Sequence, residues 1–312
     1  MKFIVHLPRY NPNSGGSISL HRLLELLVEL GYDSYVLPSR LTAKIRKRDE
    51  KKTSKPFWIY AFRSIFKPRK TLTLPNGQVV PLVRLWDLFK SPSRWIVIYP
   101  EIILGNPIRA RYVVRWFLHT PGFHTGIVDY GPGEYHIDFR NFGSEFQDAR
   151  SYRAPFSMKV VAFPFHIYNL NGALPAEQRS GLCYMVRKGS YRDIGIDLST
   201  AIRLDGLTHE DCAKIFKRST QFICFDPHTA YLQFAALCGA QSVVVPEPGV
   251  TAEQVYYRDS ERYGIAYGFD DLPRAIETVP LIRETMQLEE AEALKSVKRF
   301  AEDAQAFFRK SL

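Results

Sequence analysis

The chain opens with an apolar run at residues 3–7, then a polar, turn-rich stretch from Pro8 to Gly16. Leu20, Leu23, Leu24, Leu27 and Leu30 follow at spacings of three and four, which places them on one face of a helix over about 17–30. Gly31 is the residue type that ends a helix, and Tyr35-Val36-Leu37 forms the next apolar run. Strand, loop, helix, glycine, strand is a βαβ beginning, and it implies a parallel sheet.

The same alternation returns further on. Residues 95–99 and 111–118 read as strands. Residues 159–163, 181–186, 221–225, 242–245 and 265–267 do so as well, and 200–202 is a weaker candidate. Thr208, with Asp211 three residues on, opens a helix in near capping-box fashion, and 229–238 is another helix. Residues 40–94 read as an insertion with a hairpin at Pro75-Asn76-Gly77. The polar zone at 129–152 is expected to complete the first domain. A charged helix over 283–309 carries an apolar stripe of Leu288, Ala291, Leu294, Val297, Phe300, Ala304, Phe307 and Phe308, suited to packing on the body. The expected fold class is α/β: two Rossmann-like domains, 1–154 and 155–282, facing across a cleft, with 283–312 as a long C-terminal helix. Ligands of such sheets sit beyond the carboxyl ends of the strands.

Composition narrows the class. The 312 residues are 46% hydrophobic and 24% charged, as in soluble globular proteins. No run approaches the roughly 20 apolar residues of a membrane-spanning helix, and the N-terminal run is too short for a signal peptide. A cytoplasmic protein is expected. Cys183, Cys212, Cys224 and Cys238 form no C-x-x-C pair and read as free buried thiols. The net charge is +10, and seven Lys/Arg against Asp49 and Glu50 lie between Lys44 and Lys55, with Lys67, Arg69 and Lys70 beyond. That cluster suits phosphates or an anionic membrane surface. No recognised nucleic-acid motif accompanies it, and nucleic acid is not an expected partner.

Four segments carry candidate chemistry. Gly15 and Gly16 follow the first strand and open a helix, where backbone N–H groups favour an anion. They do not form G-x-G-x-x-G, so no nicotinamide fingerprint is present. Arg187, Lys188 and Gly189 follow a strand, where Arg187 can grip a diphosphate through two hydrogen bonds and Lys188 neutralise it. In Asp226-Pro227-His228-Thr229, Asp226 is expected to cap the next helix with Pro227 in its first turn. Thr229 and Gln233, four apart on that helix, can bind a ribose or hexose. Glu101, His119 and His124 follow strands of the first half. Glu101 and His119 are the candidate bases, with His119 favoured. No Asp-x-Asp ends a strand, since Asp270 and Asp271 are adjacent, and no metal or cofactor is expected.

The segment Ala236-Leu237-Cys238-Gly239-Ala240-Gln241-Ser242-Val243-Val244-Val245-Pro246 resembles the donor-binding unit of GT-B glycosyltransferases, particularly the retaining branch of bacterial polysaccharide assembly. Gly15-Gly16, the helix after it and Gly31-Tyr32-Asp33-Ser34-Tyr35-Val36 resemble that family's opening, and Arg187-Lys188 is similar to its basic pair. The resemblance covers about half the chain. It implies a nucleotide-sugar donor held by Gly15, Gly16, Arg187, Lys188, Asp226, His228, Thr229 and Gln233, and a glycan or lipid-linked acceptor in O-antigen or capsule synthesis. In retaining transfer of this kind the leaving diphosphate can take the proton. The family's two glutamates are missing: Asp226 stands near the first, and the second falls near Phe234, with Gln233 the nearest polar residue. That departure raises another reading, an inactive sugar-nucleotide-binding protein of the same fold, and the basic cluster with the aromatics beside it raises a further one, a basic nucleic-acid-binding protein.

Overall fold

The computed structural model describes residues 1–50, 62, 64–66, 68–140 and 145–310. The chain divides into two compact units, Met1–Ala162 with Glu290–Leu312, and Phe163–Glu289.

In the first unit, β1 (Lys2–Leu7) leads through α1 (Gly15–Glu29) to β2 (Ser34–Pro38) and α2 (Ser39–Glu50). A hairpin, β3 (Thr71–Thr73) and β4 (Val79–Pro81), turns at Asn76-Gly77, and α3 (Leu85–Lys90) follows. Then come β5 (Trp95–Pro100), β6 (Tyr112–Phe117), β7 (Tyr135–Asp138) and β8 (Tyr152–Ser157). The sheet order is β2-β1-β5-β6-β7-β8, parallel throughout. Strands covered on both faces must be apolar along their length, and every residue of β5 and β6 is buried. Leu20, Leu23, Leu24 and Leu27 of α1 pack with Phe3, Val5 and Leu7 on one face. Leu85, Leu88 and Ile45 pack with Ile4, Val97 and Tyr99 on the other.

Two expectations are corrected here. The zone at 129–152 contains β7, and β8 starts at its end. Residues 159–163 form no strand: Met158 and Val160 are buried in the first unit's core on irregular backbone. The apolar signal there reported burial, not extension. The strand β7 was hidden because its His136 and the preceding Glu134 are polar yet buried, with Glu134 paired to Arg115 and lying against His136.

The second unit holds β9 (Leu182–Met185), β10 (Ile202–Arg203), α4 (His209–Phe216), β11 (Gln221–Cys224), α5 (Tyr231–Leu237), β12 (Gln241–Val244), α6 (Ala252–Val255), β13 (Ile265–Tyr267) and α7 (Leu272–Thr278). Its order is β10-β9-β11-β12-β13, again all parallel. Thr208 caps α4 as expected, accepting from the Asp211 N–H. Gly239, at φ +90, ends α5 in a conformation that favours glycine.

The last helix, α8 (Leu281–Arg309), serves both units. Ile282 and Met286 lie in the second unit's core, and Ala293, Val297, Phe300, Ala301, Ala304 and Phe308 lie in the first's. Leu288 and Ala291, expected in the apolar stripe, are exposed where the helix passes from one core to the other. Of the basic run, residues 51–61, 63 and 67 lie outside the described residues, as do the side chains of Lys44, Arg46, Lys47 and Arg48. Phe57, Trp58 and Tyr60 lie outside them as well. Arg69 is described and pairs with Asp87 at 2.7 Å. Among the described residues no helix is long and apolar enough to cross a membrane.

Candidate functional site

Both sheets have a topological switch point, where the chain first builds outward on one side of a strand and then returns to the other. In the first unit it lies between β1 and β5, in the second between β9 and β11. Loops leaving the carboxyl ends of such strand pairs diverge and leave a crevice for ligands.

In the second unit the turn after β9 carries Arg187, Lys188 and Gly189, and the segment after β11 carries Asp226. The Gly189 N–H donates to Val186 O at 2.9 Å, closing a tight turn with Arg187 and Lys188 at its tip. Arg187 holds φ +48, a left-handed conformation that costs a side-chain-bearing residue about 1–2 kcal/mol. The cause lies one strand away. Asp205, after β10, accepts the Val186 N–H at 3.0 Å and the Arg187 N–H at 2.8 Å, and Arg203 Nε donates to it at 3.0 Å. Burial pushes the Asp205 carboxyl up, but these donors outweigh it and hold the group below the usual carboxylate range. Gly189 is required by close approach: a Cβ there would stand 1.8 Å from the Phe225 carbonyl oxygen.

The turn brings Arg187 toward the β11 side. Its guanidinium lies 3.9 Å from Asp226 Oδ2 and 5.1 Å from the centre of the Tyr231 ring. Lys188 is exposed beside it. Asp226 is 6% exposed and accepts the His228 N–H at 3.0 Å. The expected helix cap is therefore corrected: Asp226 closes a turn over Pro227-His228, and α5 begins only at Tyr231, with Ala230 at its N-cap position and no side-chain cap. Aspartate followed by proline has two local solutions, a helix cap or an Asx turn, and here the turn prevails. Thr229 precedes the helix, accepting the Tyr231 N–H at 3.4 Å, so Thr229 and Gln233 are not a pair on one helix face. Gln233 stands half-buried within α5 and His228 is exposed.

In the first unit Ser14 caps α1, accepting from Ser17 N, while the Ser17 hydroxyl accepts the Asn11 N–H at 2.9 Å. These bonds fold residues 11–14 against the helix start. No protein atom demands the two glycines that follow: a Cβ on Gly15 would meet nothing within 4 Å, and on Gly16 only Leu118 Cδ1 at 3.7 Å. Glu101, just past β5, is 5% exposed and accepts the Leu118 N–H at 3.0 Å. Burial pushes its carboxyl up to about 7, against the opposing pull of backbone N–H groups that include His119. His119 follows β6, its Nδ1 accepting the Thr120 N–H at 2.8 Å. Its ring lies 4.2 Å from that of Phe123 and 4.9 Å from that of His124. Glu101, Gly16, Leu118 and His119 thus share one edge.

Beneath that edge lies a buried ion pair. Arg115, fully buried, donates to Glu134 at 2.9 and 2.7 Å and to the carbonyls of Ile103 and Gly105. Burial pushes the Glu134 carboxyl up, but His136 and Arg115 outweigh it and hold it low. Through the two carbonyls Arg115 fixes the loop that carries Glu101, and the Tyr130 hydroxyl adds a 2.7 Å bond to the Glu101 carbonyl.

Sequence reading passed over Asp205, Tyr231 and Arg115. Asp205 sits three residues after an isoleucine in a two-residue strand too short to show periodicity. Arg115 sits inside an otherwise apolar strand, and a charge in that setting was the available signal. Among the described residues no group of three or more His, Cys, Asp or Glu is placed to hold a metal ion. The four cysteines are free and buried.

No family model matches the chain, and no curated protein matches it. Solved structures align along nearly all of it at low identity. The glycosyltransferase SnogD from Streptomyces nogalater is 11% identical over 97% of this chain and 99% of that one, at a TM-score of 0.36. The calicheamicin glycosyltransferase CalG4 is 12% identical over 98% of each, at 0.34. MurG from Acinetobacter baumannii is 11% identical over 98% of this chain and all of its own, at 0.31. The chain is similar to each of these.

Proposed function

We propose that the protein is a glycosyltransferase that takes a sugar from a nucleotide-sugar donor held by the second unit. One observation carries this reading. Arg187 and Lys188 stand on a turn held in an unfavourable backbone conformation by Asp205, at the switch point between β9 and β11. Backbone strain maintained by a dedicated carboxylate has a reason when it aims a cation at a ligand. Arg187 offers a planar fork for a diphosphate, and Lys188 a second charge. In this reading Thr229, on the loop before α5, and Gln233, separately within that helix, each contact the donor's ribose or sugar, Asp226 and His228 shape the turn beneath it, and Gly15 and Gly16 let a ligand approach the start of α1. Arg187 and Lys188 stabilise the departing diphosphate without a metal. Glu101 is the base for the acceptor hydroxyl, with His119 beside it.

The acceptor is a glycan or lipid-linked glycan of a cell-surface polysaccharide such as lipopolysaccharide. The basic run between Lys44 and Lys70 holds the cytoplasmic enzyme to an anionic membrane face. Thermal shift against a panel of uridine, guanosine and thymidine diphosphate sugars tests the donor site. Ligand at one hundred times its dissociation constant adds about 2.7 kcal/mol of stability. Arg187→Ala is expected to weaken the responding nucleotide about 10- to 100-fold, the loss of one or two charge-assisted hydrogen bonds. No shift with any nucleotide at millimolar concentration, or an Arg187→Ala protein that binds as the parent does, sinks the reading.

A further inference from the structure

We propose that the first unit carries a second anion site, at the amino edge of its sheet, which takes the phosphate monoester of a small phosphorylated sugar or polyol. The site stands apart from the donor reading and does not rest on it. A cavity of about 320 Å³ opens there, lined by Met1, Lys2, Asp33, Ser93, Arg94 and Arg309. Lys2 begins β1, Asp33 immediately precedes β2, Arg94 immediately precedes β5, and Arg309 ends α8. Strand β5 separates this edge from Glu101 by about 20 Å, the length of a six-residue strand. Ligands of open parallel sheets gather beyond the carboxyl ends of the strands. The fold therefore does not account for cations around a cavity at the other end.

The charges in the cavity do not cancel. Lys2 Nζ lies 3.0 Å from Asp33 Oδ2 and 3.4 Å from the Tyr35 hydroxyl, and 5.6 and 5.7 Å from the centres of the Tyr35 and Trp95 rings. Lys2 and Asp33 thus form a neutral, seated pair. Arg94 and Arg309 are exposed and have no carboxylate partner among the described residues, and Arg309 donates to the uncharged Gln305 Oε1 at 3.2 Å. A cation at the end of a helix is ordinary, because it offsets the unpaired carbonyls there. That suffices for Arg309 alone and leaves Arg94 unexplained. Arg94 comes from a distant part of the chain and is held beside the cavity by the turn at Pro92. Its N–H donates to Ser91 O at 3.1 Å, and the next residue, Trp95, is buried. The last turn of α8 is fixed as well, by Phe308 stacked on Tyr112 at 4.8 Å.

Two unmatched guanidinium groups leave two positive charges on one cavity. A phosphate monoester carries close to two negative charges at pH 7, and the guanidinium fork matches phosphate oxygens in pairs. A phosphodiester or a carboxylate carries one charge and leaves an arginine unmet. The cavity is also larger than a phosphate group. A water's share of liquid volume is about 30 Å³, so the space equals about ten waters. The Ser93 hydroxyl and the second carboxylate oxygen of Asp33 can pair with hydroxyl groups on the rest of the ligand.

The test is calorimetric titration of the full chain with glucose 6-phosphate, glucose, inorganic phosphate and sulfate at constant ionic strength. Glucose 6-phosphate is expected to bind and glucose not to, with phosphate and sulfate at least five-fold weaker. Arg94→Ala and, separately, Arg309→Ala are expected to weaken glucose 6-phosphate about ten-fold. Both side chains are exposed, so the fold tolerates either change, and urea midpoints check this. Arg94→Lys keeps the charge and should recover part of the loss. Lys295→Ala, which removes an exposed cation elsewhere on α8, should change nothing, and Arg187→Ala should bind glucose 6-phosphate as the parent does. Loss of binding in Arg187→Ala places the ligand at the donor turn and overturns the proposal. So do Arg94→Ala and Arg309→Ala proteins that bind normally, and so does the absence of glucose 6-phosphate binding. Sulfate that binds as tightly as glucose 6-phosphate overturns it in favour of a general attraction for anions. Phosphatidic acid vesicles present the same monoester on a lipid. Vesicle binding that Arg94→Ala abolishes, without binding of glucose 6-phosphate, overturns the soluble ligand in favour of a headgroup. A parent protein that binds glucose 6-phosphate but no nucleotide sinks the donor reading and leaves this site standing.

Discussion

Glu101 makes a prediction that involves no ligand. Its carboxyl is pushed up from 4.5 to about 7 by burial. Between those values the folded chain keeps a proton that the unfolded chain has lost. Stability therefore falls as pH rises through that window and stays reduced above it. Glu101→Gln cannot ionise, so it is expected to be more stable than the parent at pH 8, by up to about 3 kcal/mol. The advantage should vanish near pH 4. Urea midpoints at pH 4, 6 and 8 measure it, and parallel profiles for the two proteins would count against a buried neutral carboxyl. If Glu101 is the base, transfer by the parent rises with pH through about 7. At Gly189 the constraint is steric. Gly189→Ala drives a methyl into the Phe225 carbonyl, and overpacking of this kind costs about 1–3 kcal/mol. An unchanged urea midpoint would show that the β9 and β11 turns can separate.

The turn after β9 works as an element because a neighbouring strand holds it. Asp205→Ala removes the acceptor of two backbone N–H groups, and Arg187 is expected to leave its left-handed conformation. Nucleotide affinity should drop about ten-fold, equivalent to 1.4 kcal/mol, within the range for an unmet N–H. Asp205→Asn, which keeps one carbonyl acceptor, should recover part of it. Calorimetric titration distinguishes this from general destabilisation, because rescue by asparagine requires the hydrogen bond. The sequence made Arg187, Lys188 and Gly189 visible because cations and a glycine at the end of an apolar strand are unusual. Asp205 was not visible, since its effect depends on which strand lies beside β9, and that order is a property of the sheet. The βαβ opening and most strands were legible from apolar runs and helical spacing. The start of α5 was not, because Asp226-Pro227 supports a turn as well as a cap. Glu101 and His119 were legible as strand-end polar residues, whereas the burial of Glu101 emerges only from the packed loops around it.

At the scale of the molecule α8 is the element with most at stake. Val297, Phe300, Ala301, Ala304 and Phe308 sit in the first unit's core with at most 1% exposure, though they are separated in sequence from the rest of that unit by all of the second. Phe300→Ala is expected to destabilise the first unit by about 3–5 kcal/mol, and differential scanning calorimetry reads the effect. A transition unchanged in midpoint and enthalpy would show that the helix is dispensable there. The same arrangement sets an order of events on the ribosome. Residues 163–289 are contiguous and can consolidate as soon as they emerge, whereas the earlier-made N-terminal sheet must wait, its α8 groove bare, until the final helix has been translated. The half that is synthesised first is the half that matures last, so a chain arrested shortly after residue 289 leaves that apolar groove open to chaperones or to aggregation.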